Sequence, residues 1–208
     1  MNNKTSIPEV EFPYRHSKSF EFEIVGNREI LQHQLPTDHN PFRPHRLHFY
    51  AILFILKGEG FHFIDFKKYK YEPGTVIFIA KDQVHAFEKN SERRANFMLF
   101  TQEFLEKSSL GSNLMQNLSL YNYNLHHPVL KPDSENFKIL SALVNRIEKE
   151  FHLPDDFATE EIIQSALKIF LLLADRIRKT NISNQPALAY REEFKALQKL
   201  LKIHLFKT

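Results

Sequence analysis

The chain has 208 residues, 42% hydrophobic and 25% charged, a balance typical of a folded globular protein rather than a disordered one. It contains no cysteine, which excludes disulfides and structural metal sites built on thiolates. The net charge of +3 is small, and no strong basic cluster of the kind that binds nucleic acid stands out. Neither a signal peptide nor an apolar run of roughly 18 residues is visible, so we expect a soluble cytoplasmic protein without a membrane partner.

The first half of the chain alternates short β-like runs with turn signals, which predicts a barrel or a sandwich. Phe20, Phe22 and Ile24 alternate with glutamates, as in a half-buried strand. Pro73-Gly74 is typical of a β-turn, because proline presets φ at the second position and glycine accepts a positive φ at the third. Further strands are predicted at Leu47–Leu56, Phe61–Phe66, Val76–Ala80 and Ala95–Phe100.

The strand predicted at Leu47–Leu56 is apolar on both of its faces, so both faces should be covered. A barrel interior on one side, with helices or a second protomer on the other, would satisfy this pattern. A strand in the core of a sandwich has the same pattern, and both arrangements therefore stay open.

The second half of the chain has the spacing of amphipathic helices. One helix is predicted between Asp133 and Pro154, and a second from near Asp156 to about Thr180. The apolar residues of the second helix span about half of its circumference, which is wider than packing on one neighbour requires. We therefore predict that it packs on its own β domain and on a second protomer, with burial between elements of its own chain as the alternative. The predicted dimer contacts are Ile163, Leu167, Phe170, Leu171 and Ala174.

Two stretches of the sequence resemble the start of the AraC-type sensing domain. The first, from Arg43 to Phe66, contains a histidine-bearing strand, a Gly-x-Gly hairpin and Ile-Asp-Phe. The second, from Tyr71 to Phe87, contains a Pro-Gly turn followed by Gln-Val-His. The resemblance implies a mainly β fold with C-terminal helices, in which a cupin-like (double-stranded β-helix) barrel that binds a small effector is followed by a helical dimerisation region.

This resemblance implies a bacterial AraC-type transcription regulator in which the chain senses an effector and forms a homodimer, while DNA binding belongs to a C-terminal helix-turn-helix module. The N-terminal segment is either a lid over the barrel mouth or a frayed terminus. The expected segments are an arm at 1–19, the barrel at 20–105, the dimerisation region at 106–180, a linker at 181–190 and the start of a truncated helix-turn-helix module at 191–208.

The two motifs also supply the candidate effector-binding residues. A neutral imidazole offers one hydrogen-bond donor and one acceptor, which suits a polar group on a sugar or an aromatic compound. Satisfaction of each histidine by backbone carbonyls at the barrel mouth is the alternative. His62 and Tyr50 are weaker candidates, because their strand parity is expected to point them outward. The candidates are His45, Leu47, Phe49, Ala51, His85 and Phe87.

A metal-dependent cupin enzyme, such as an isomerase or a dioxygenase, is the alternative function. Such cupins place His-x-His and a later acidic residue on one strand, and a further histidine in a second motif. With His45 in the first position, Leu47 and Ala51 occupy the next two and His85 matches the last, so only two of the four ligands remain. His48 is out of phase and should point to the opposite face. We therefore expect no metal, no cofactor and no catalytic residue.

A third possibility is a dimeric scaffold whose barrel is filled by its own phenylalanines and binds nothing. His126 and His127, which precede Pro128, are expected to be loop residues. The sequence shows no nucleophile elbow, phosphate-binding glycine loop or dinucleotide fingerprint, so catalysis has no evident carrier.

Overall fold

The computed structural model describes residues 7–13, 18–26, 40–88, 92–107, 113–122 and 127–184. Within these ranges the strands are β1 (Glu9–Val10), β2 (Phe22–Gly26), β3 (His45–Leu47), β4 (Tyr50–Lys57), β5 (Gly60–Ile64), β6 (Lys67–Tyr71), β7 (Val76–Ile79), β8 (Val84–Phe87), β9 (Arg94–Phe100) and β10 (Val129–Leu130). The helices are α1 (Gln102–Glu106), α2 (Leu114–Asn117), α3 (Ser134–Phe151) and α4 (Thr159–Asn184), with a 3₁₀ turn at Ser119–Tyr121.

The fold is mainly β, as the sequence predicts, and its described strands form two five-stranded sheets. The first sheet has the order β1-β3-β8-β5-β6, and the second has the order β10-β7-β4-β9-β2. The paired strands are antiparallel apart from β1, which runs parallel to β3. The predicted turn at Pro73-Gly74 is confirmed, since Thr75 N donates to the carbonyl oxygen of Glu72 at 3.0 Å and Gly74 has a φ of +89°.

The strand predicted at Leu47–Leu56 is divided in the structure, because Leu47 ends β3 of the first sheet and β4 of the second sheet begins at Tyr50. Strand β4 is buried on both faces, which confirms the prediction from its two apolar parities. Ala51 and Leu53 face the first sheet and belong to the apolar core between the sheets. Ile52 and Phe54 point the opposite way, into a second core that helices α3 and α4 share with the second sheet. The ring centroid of Phe54 lies 6.2 Å from that of Phe170 on α4. Helices of the same chain therefore cover the outer face of this sheet.

The boundaries of the two long helices follow from their capping residues and breakers. Helix α3 begins after Asp133, whose side chain accepts a hydrogen bond from Asn136 N at 2.8 Å and caps the helix. Helix α4 continues to Asn184, so residues 181–184 of the predicted linker are helical. The first helix breaker after Thr180 is Pro186, which explains why the helix does not end earlier. No described helix is long and apolar enough to cross a membrane.

The five residues predicted as dimer contacts lie inside the core of their own chain. Each of the five side chains is fully buried and packs in the core shared by α3, α4 and the second sheet. They are therefore unavailable to a second protomer. Their position agrees with the alternative that the sequence left open, in which the helix is buried between elements of its own chain. The wide apolar arc of α4 is divided among several intrachain neighbours. These residues are Ile163, Leu167, Phe170, Leu171 and Ala174.

Two short strands fall outside the barrel boundaries that the sequence suggests. Strand β1 belongs to the predicted arm, and its Val10 is buried beside β3. Strand β10 interrupts the predicted helical region and pairs with β7 at the edge of the second sheet. The remainder of the linker at 185–190 and the segment at 191–208 lie outside the described residues, as does His126.

Candidate ligand-binding cavity

A small cavity of about 40 Å³ lies between the two sheets. Its wall combines residues of β1, β3, β4, β8 and β9 with Phe49, which precedes β4. All six effector-binding candidates from the sequence surround it, although ligand binding by these residues stays a prediction. The lining residues are Val10, His45, Leu47, Phe49, Ala51, Leu53, His85, Phe87, Phe97 and Leu99.

Two histidines form the polar part of this otherwise apolar lining. His45 on β3 and His85 on β8 are paired in register, and their ring centroids are 4.1 Å apart. Nδ1 of His45 lies 2.9 Å from the carbonyl oxygen of Arg43 and donates to it. The sequence left open whether these histidines face a ligand or bond backbone carbonyls. His45 bonds a carbonyl through one nitrogen while its ring lines the cavity.

His62 on β5 is a member of this cluster, and the outward orientation expected from its parity is wrong. The side chain is fully buried, and its Nε2 lies 3.1 Å from Nδ1 of His85. In the register of the sheet His62 stands opposite Phe87, a cavity residue, so both point to the inner face. Burial, followed by the positive charges of Arg93 and His45, lowers the pKa of His62 well below its usual value. His62 is therefore neutral at physiological pH.

Tyr50, the other weak candidate, does point away from the cavity, as its parity predicts. Its ring stacks on Phe100 at 5.6 Å between centroids and meets Tyr121 edge-on at 4.9 Å, both on the helix side of the second sheet. Burial raises the pKa of Tyr50 above its usual value. Tyr50 therefore belongs to the packing between sheet and helices.

Arg93 is a buried cation behind the cavity that the sequence did not single out. Its guanidinium carbon lies 4.5 Å from the ring centroid of Phe87 and 5.9 Å from that of Phe97, and both rings line the cavity. Its Nη1 donates to Tyr71 Oη at 3.4 Å. Arg93 precedes the strand predicted at Ala95–Phe100, and only the tertiary structure shows that it is buried.

The N-terminal arm closes one side of the cavity. Val10 is part of the wall, and Phe12 packs edge-on against Phe49 with 5.6 Å between ring centroids. The hydrogen bonds from Arg46 N to the Pro8 carbonyl and from His48 N to the Val10 carbonyl hold this segment against β3. The described part of the arm is therefore docked on the first sheet.

The residues around the cavity do not form the metal site of a cupin enzyme. Leu47 and Ala51 contribute apolar side chains where such a site needs ligands. Within the described ranges, no group of three histidine, aspartate or glutamate residues could hold a metal ion. His48 lies outside the cavity, as predicted, and bonds Asp82 Oδ1 at 2.8 Å. This hydrogen bond raises the pKa of His48, against the opposing effect of burial.

A larger open groove of about 750 Å³ lies between the second sheet and α3. Asn96 Nδ2 donates to Glu148 Oε2 at 3.3 Å across it, and Arg94 and His152 also line it. None of the effector-binding candidates from the sequence borders this groove. The cavity between the sheets therefore remains the candidate site.

Two facing sheets with a small apolar cavity between them, backed by helices, are suited to holding a small molecule. A family model described as AraC-like ligand binding domain matches residues 30–167. The chain therefore belongs to the AraC-like ligand binding domain family. No curated protein matched the sequence.

The solved structures to which the chain is similar share little sequence with it. It is similar to an apo variant of ToxT from Vibrio cholerae, at 16% identity over 88% of this chain and 65% of that chain, with a TM-score of 0.43. It is also similar to the AraC-like transcriptional activator CuxR, at 13% identity over 73% and 48% of the two chains, with a TM-score of 0.37. An RmlC-like cupin family protein from Methanocaldococcus jannaschii shares 17% identity over 39% of this chain and 68% of that chain, with a TM-score of 0.26.

Proposed function

We propose that the chain is the effector-sensing domain of an AraC-type transcription regulator and binds a small molecule in the cavity between its two sheets. The observation that carries the proposal is that six residues singled out from the sequence surround one cavity. Membership of a ligand-binding family supports a small-molecule effector. On this proposal the two sheets form the cupin-like barrel, and the protein acts in the cytoplasm through a C-terminal DNA-binding module.

The size of the cavity implies that binding moves part of its wall. A cavity of about 40 Å³ holds only a few water molecules, whereas ligand pockets commonly measure about 300–1,000 Å³. The arm is the part of the wall that costs least to displace, because β1 has only two residues and lies at a sheet edge. An effector that binds the open and closed arrangements with different affinities shifts the balance between them.

We propose that the chain dimerises through the outward face of α4, because the five residues that the sequence predicted as dimer contacts are buried. Ile169 and Leu172 on this face are 49% and 51% exposed. Glu161 lies on the N-terminal side of these two residues along the helix and Arg176 lies on their C-terminal side, and both charged residues are exposed. An antiparallel arrangement places Glu161 of one protomer opposite Arg176 of its partner, with the apolar residues between them. This charge complementarity favours a second copy of the chain as the occupant of the face.

Analytical ultracentrifugation tests the dimer. Leu172→Glu should convert the dimer to a monomer while the circular dichroism spectrum stays unchanged. Ile139→Glu is the matched control, because Ile139 is 46% exposed on α3, outside the proposed contact. A wild-type chain that sediments as a monomer, or an equal effect of the two variants, would contradict the proposed dimer.

A thermal-shift screen against sugars, aromatic compounds, lipids and metals, each repeated with a chelator, tests effector binding. A ligand at 100 times its Kd adds about 2.7 kcal/mol of apparent stability. Ala51→Met fills the cavity and should abolish the shift, whereas Ala166→Met, in the other core, should keep it. A chelator-sensitive metal shift would favour the enzyme alternative. Persistence of the organic ligand's shift in Ala51→Met would contradict the proposed cavity, and no shift at all would favour the scaffold.

A further inference from the structure

Three carboxylates surround His48, which follows β3 and lies outside the cavity. Nδ1 of the His48 ring lies 2.8 Å from Oδ1 of Asp82, whereas Nε2 lies 3.3 Å from Oε2 of Glu9 and 3.9 Å from Oε1 of Glu11. Glu9 and Glu11 belong to the N-terminal arm, and Asp82 lies in the turn between β7 and β8. His48 therefore stands between the arm and the rest of the domain.

Asp82 forms the fixed side of this arrangement. Its φ of +67° lies in the left-handed region, which few residues other than glycine adopt and which aspartate tolerates. Its backbone N–H donates to the Leu47 carbonyl oxygen at 2.7 Å, and its own carbonyl oxygen accepts a hydrogen bond from Nη1 of Arg46. Because these two hydrogen bonds to β3 hold the turn, the Asp82 carboxylate stays beside His48.

The number of protons on the ring determines how many carboxylates His48 can bond. An ionised carboxylate only accepts hydrogen bonds, so each of the two ring contacts needs an N–H. A neutral imidazole has one N–H, and the closer Asp82 is the better partner for it. The lone pair of the other nitrogen then faces Glu9. Only the imidazolium form donates to Asp82 and Glu9 together.

The surroundings of His48 favour its charged form. The hydrogen bond to Asp82 is the largest effect and raises the pKa of His48 above its usual value, burial opposes this rise, and both arm carboxylates add to it. Of the cations in the adjoining segments, Arg46 donates to the Asp82 carbonyl oxygen and Lys81 is exposed. His48 therefore loses its proton above about pH 6.5, far above the range in which carboxylic acids titrate.

We propose that His48 and its three carboxylates form a pH-dependent clasp, which holds the arm on the domain while the ring is doubly protonated and releases the arm from the cavity when the ring loses a proton. The arm supplies Val10 to the cavity wall, so its release opens that side of the cavity. This inference rests on the proposed function, in which the wall moves to admit an effector, and it names a condition that regulates this movement.

Amide hydrogen exchange of the wild-type chain measures release of the arm without any ligand. The backbone N–H groups of Arg46 and His48 donate to arm carbonyls at 2.8 and 3.0 Å, so their protection factors report its docking. From pH 5.5 to pH 8.5 both protection factors should fall about two- to fivefold, the effect of one partly exposed ion pair. The N–H of Phe78, which donates to the Pro128 carbonyl at 3.0 Å, is the control and should keep its protection. Constant protection of the two arm-bonded amides would overturn the inference.

Variants separate the clasp from other groups that titrate. His48→Gln has no titrating ring and should abolish the pH dependence, whereas His152→Gln, at an exposed histidine after α3, should keep it. The double variant Glu9→Gln/Glu11→Gln should lower the pKa of His48, measured from its ring proton shifts. The inference fails if His48→Gln and His152→Gln show the same pH dependence, or if the double variant leaves the titration of His48 unchanged.

A small neutral nitroxide, 4-hydroxy-TEMPO, tests whether release of the arm opens the cavity. Its paramagnetic effect on the side chains of Leu47 and Phe49, which line the cavity, should be greater at pH 8.5 than at pH 5.5. In His48→Gln the effect should be equal at both values. Loss of arm protection without a change at these side chains would overturn the connection between clasp and cavity. If both respond but no compound in the effector screen binds, the proposed function fails and the clasp stands.

Discussion

Replacing Phe170 with alanine tests whether α4 is held by the core of its own chain. Phe170 is fully buried, and its ring meets that of Phe54 on β4 at 6.2 Å between centroids. Removing a buried phenylalanine costs about 3–5 kcal/mol, through lost transfer free energy and the cavity left behind. In a chain of this length each kcal/mol lowers Tm by about 2–4 °C, so we expect Tm to fall by about 10 °C.

Urea denaturation at two widely different protein concentrations provides the assay. An intrachain contact gives the same loss of stability at both concentrations, whereas loss of a dimer contact depends on protein concentration. Ile139→Ala on α3 is the control, because Ile139 is 46% exposed and lies outside the proposed dimer contact, so this variant should lose less than about 1 kcal/mol. The reasoning is refuted if the Phe170→Ala loss depends on concentration, or if it is no larger than that of the control.

Three further predictions concern stability measured by urea denaturation. Because burial lowers the pKa of His62, the unfolded chain takes up a proton below about pH 6.5 that the folded chain does not. The free energy of unfolding should therefore decrease as the pH is lowered below about 6.5, by up to about 1.4 kcal/mol per pH unit. His62→Phe should lack this component, and an unchanged slope would contradict it. Gly58→Ala should cost more than Gly74→Ala, because a Cβ clashes with the Glu92 carbonyl only at Gly58; equal losses would refute the steric argument. Asp175→Ala should cost about 1–3 kcal/mol, because its buried carboxylate accepts a backbone N–H of the 3₁₀ turn at 2.8 Å, and a negligible loss would count against this role.

Side-chain patterns located five of the ten described strands, β2, β4, β5, β7 and β9, and predicted that both faces of β4 are covered. Alternate positions from His45 to Ala51 lie on one side of the chain, and the structure places all of them around one cavity. The second motif contributes His85 and Phe87 through β8, whose pairing with β3 brings His85 beside His45. The resemblance to the AraC-type domain predicted that both motifs contribute to one effector-binding site, although the sequence does not show how their strands pair.

The orientation of His62 could not be derived from the sequence, because it depends on the pairing of β5 with β8. Phe61 and Phe63, its neighbours, are as apolar as any inward residue, so alternation gave no sign of which parity faces inward. The register that places His62 opposite Phe87 decides the question. A shift of one residue would have exchanged the two faces.

The limits of the helical prediction have a similar origin. A wide apolar arc on α4 shows that the helix has more than one neighbour, but does not show whether they belong to the same chain. Here α3 and the second sheet bury Leu167 and Phe170, whereas Ile169 and Leu172 are exposed. Two-residue strands such as β1 and β10 are too short to have a period. Their pairing partners lie far away in the sequence.

Strand β4 provides a direct physical connection between the cavity and the helices. Ala51 and Leu53 line the cavity, while Ile52 and Phe54, on the opposite face, pack in the core that contains α3 and α4. The Phe54 ring stacks on Phe137 of α3 with 4.8 Å between centroids and also meets α4. Protein cores are close-packed, so a wall that moves to admit a ligand must also repack on its other side. On the proposed function, displacement of β4 would alter the surface on which α3 and α4 pack, whereas displacement of the arm alone would leave both helices in place. Comparing hydrogen exchange of α4 with and without an effector would therefore show which part of the wall moves.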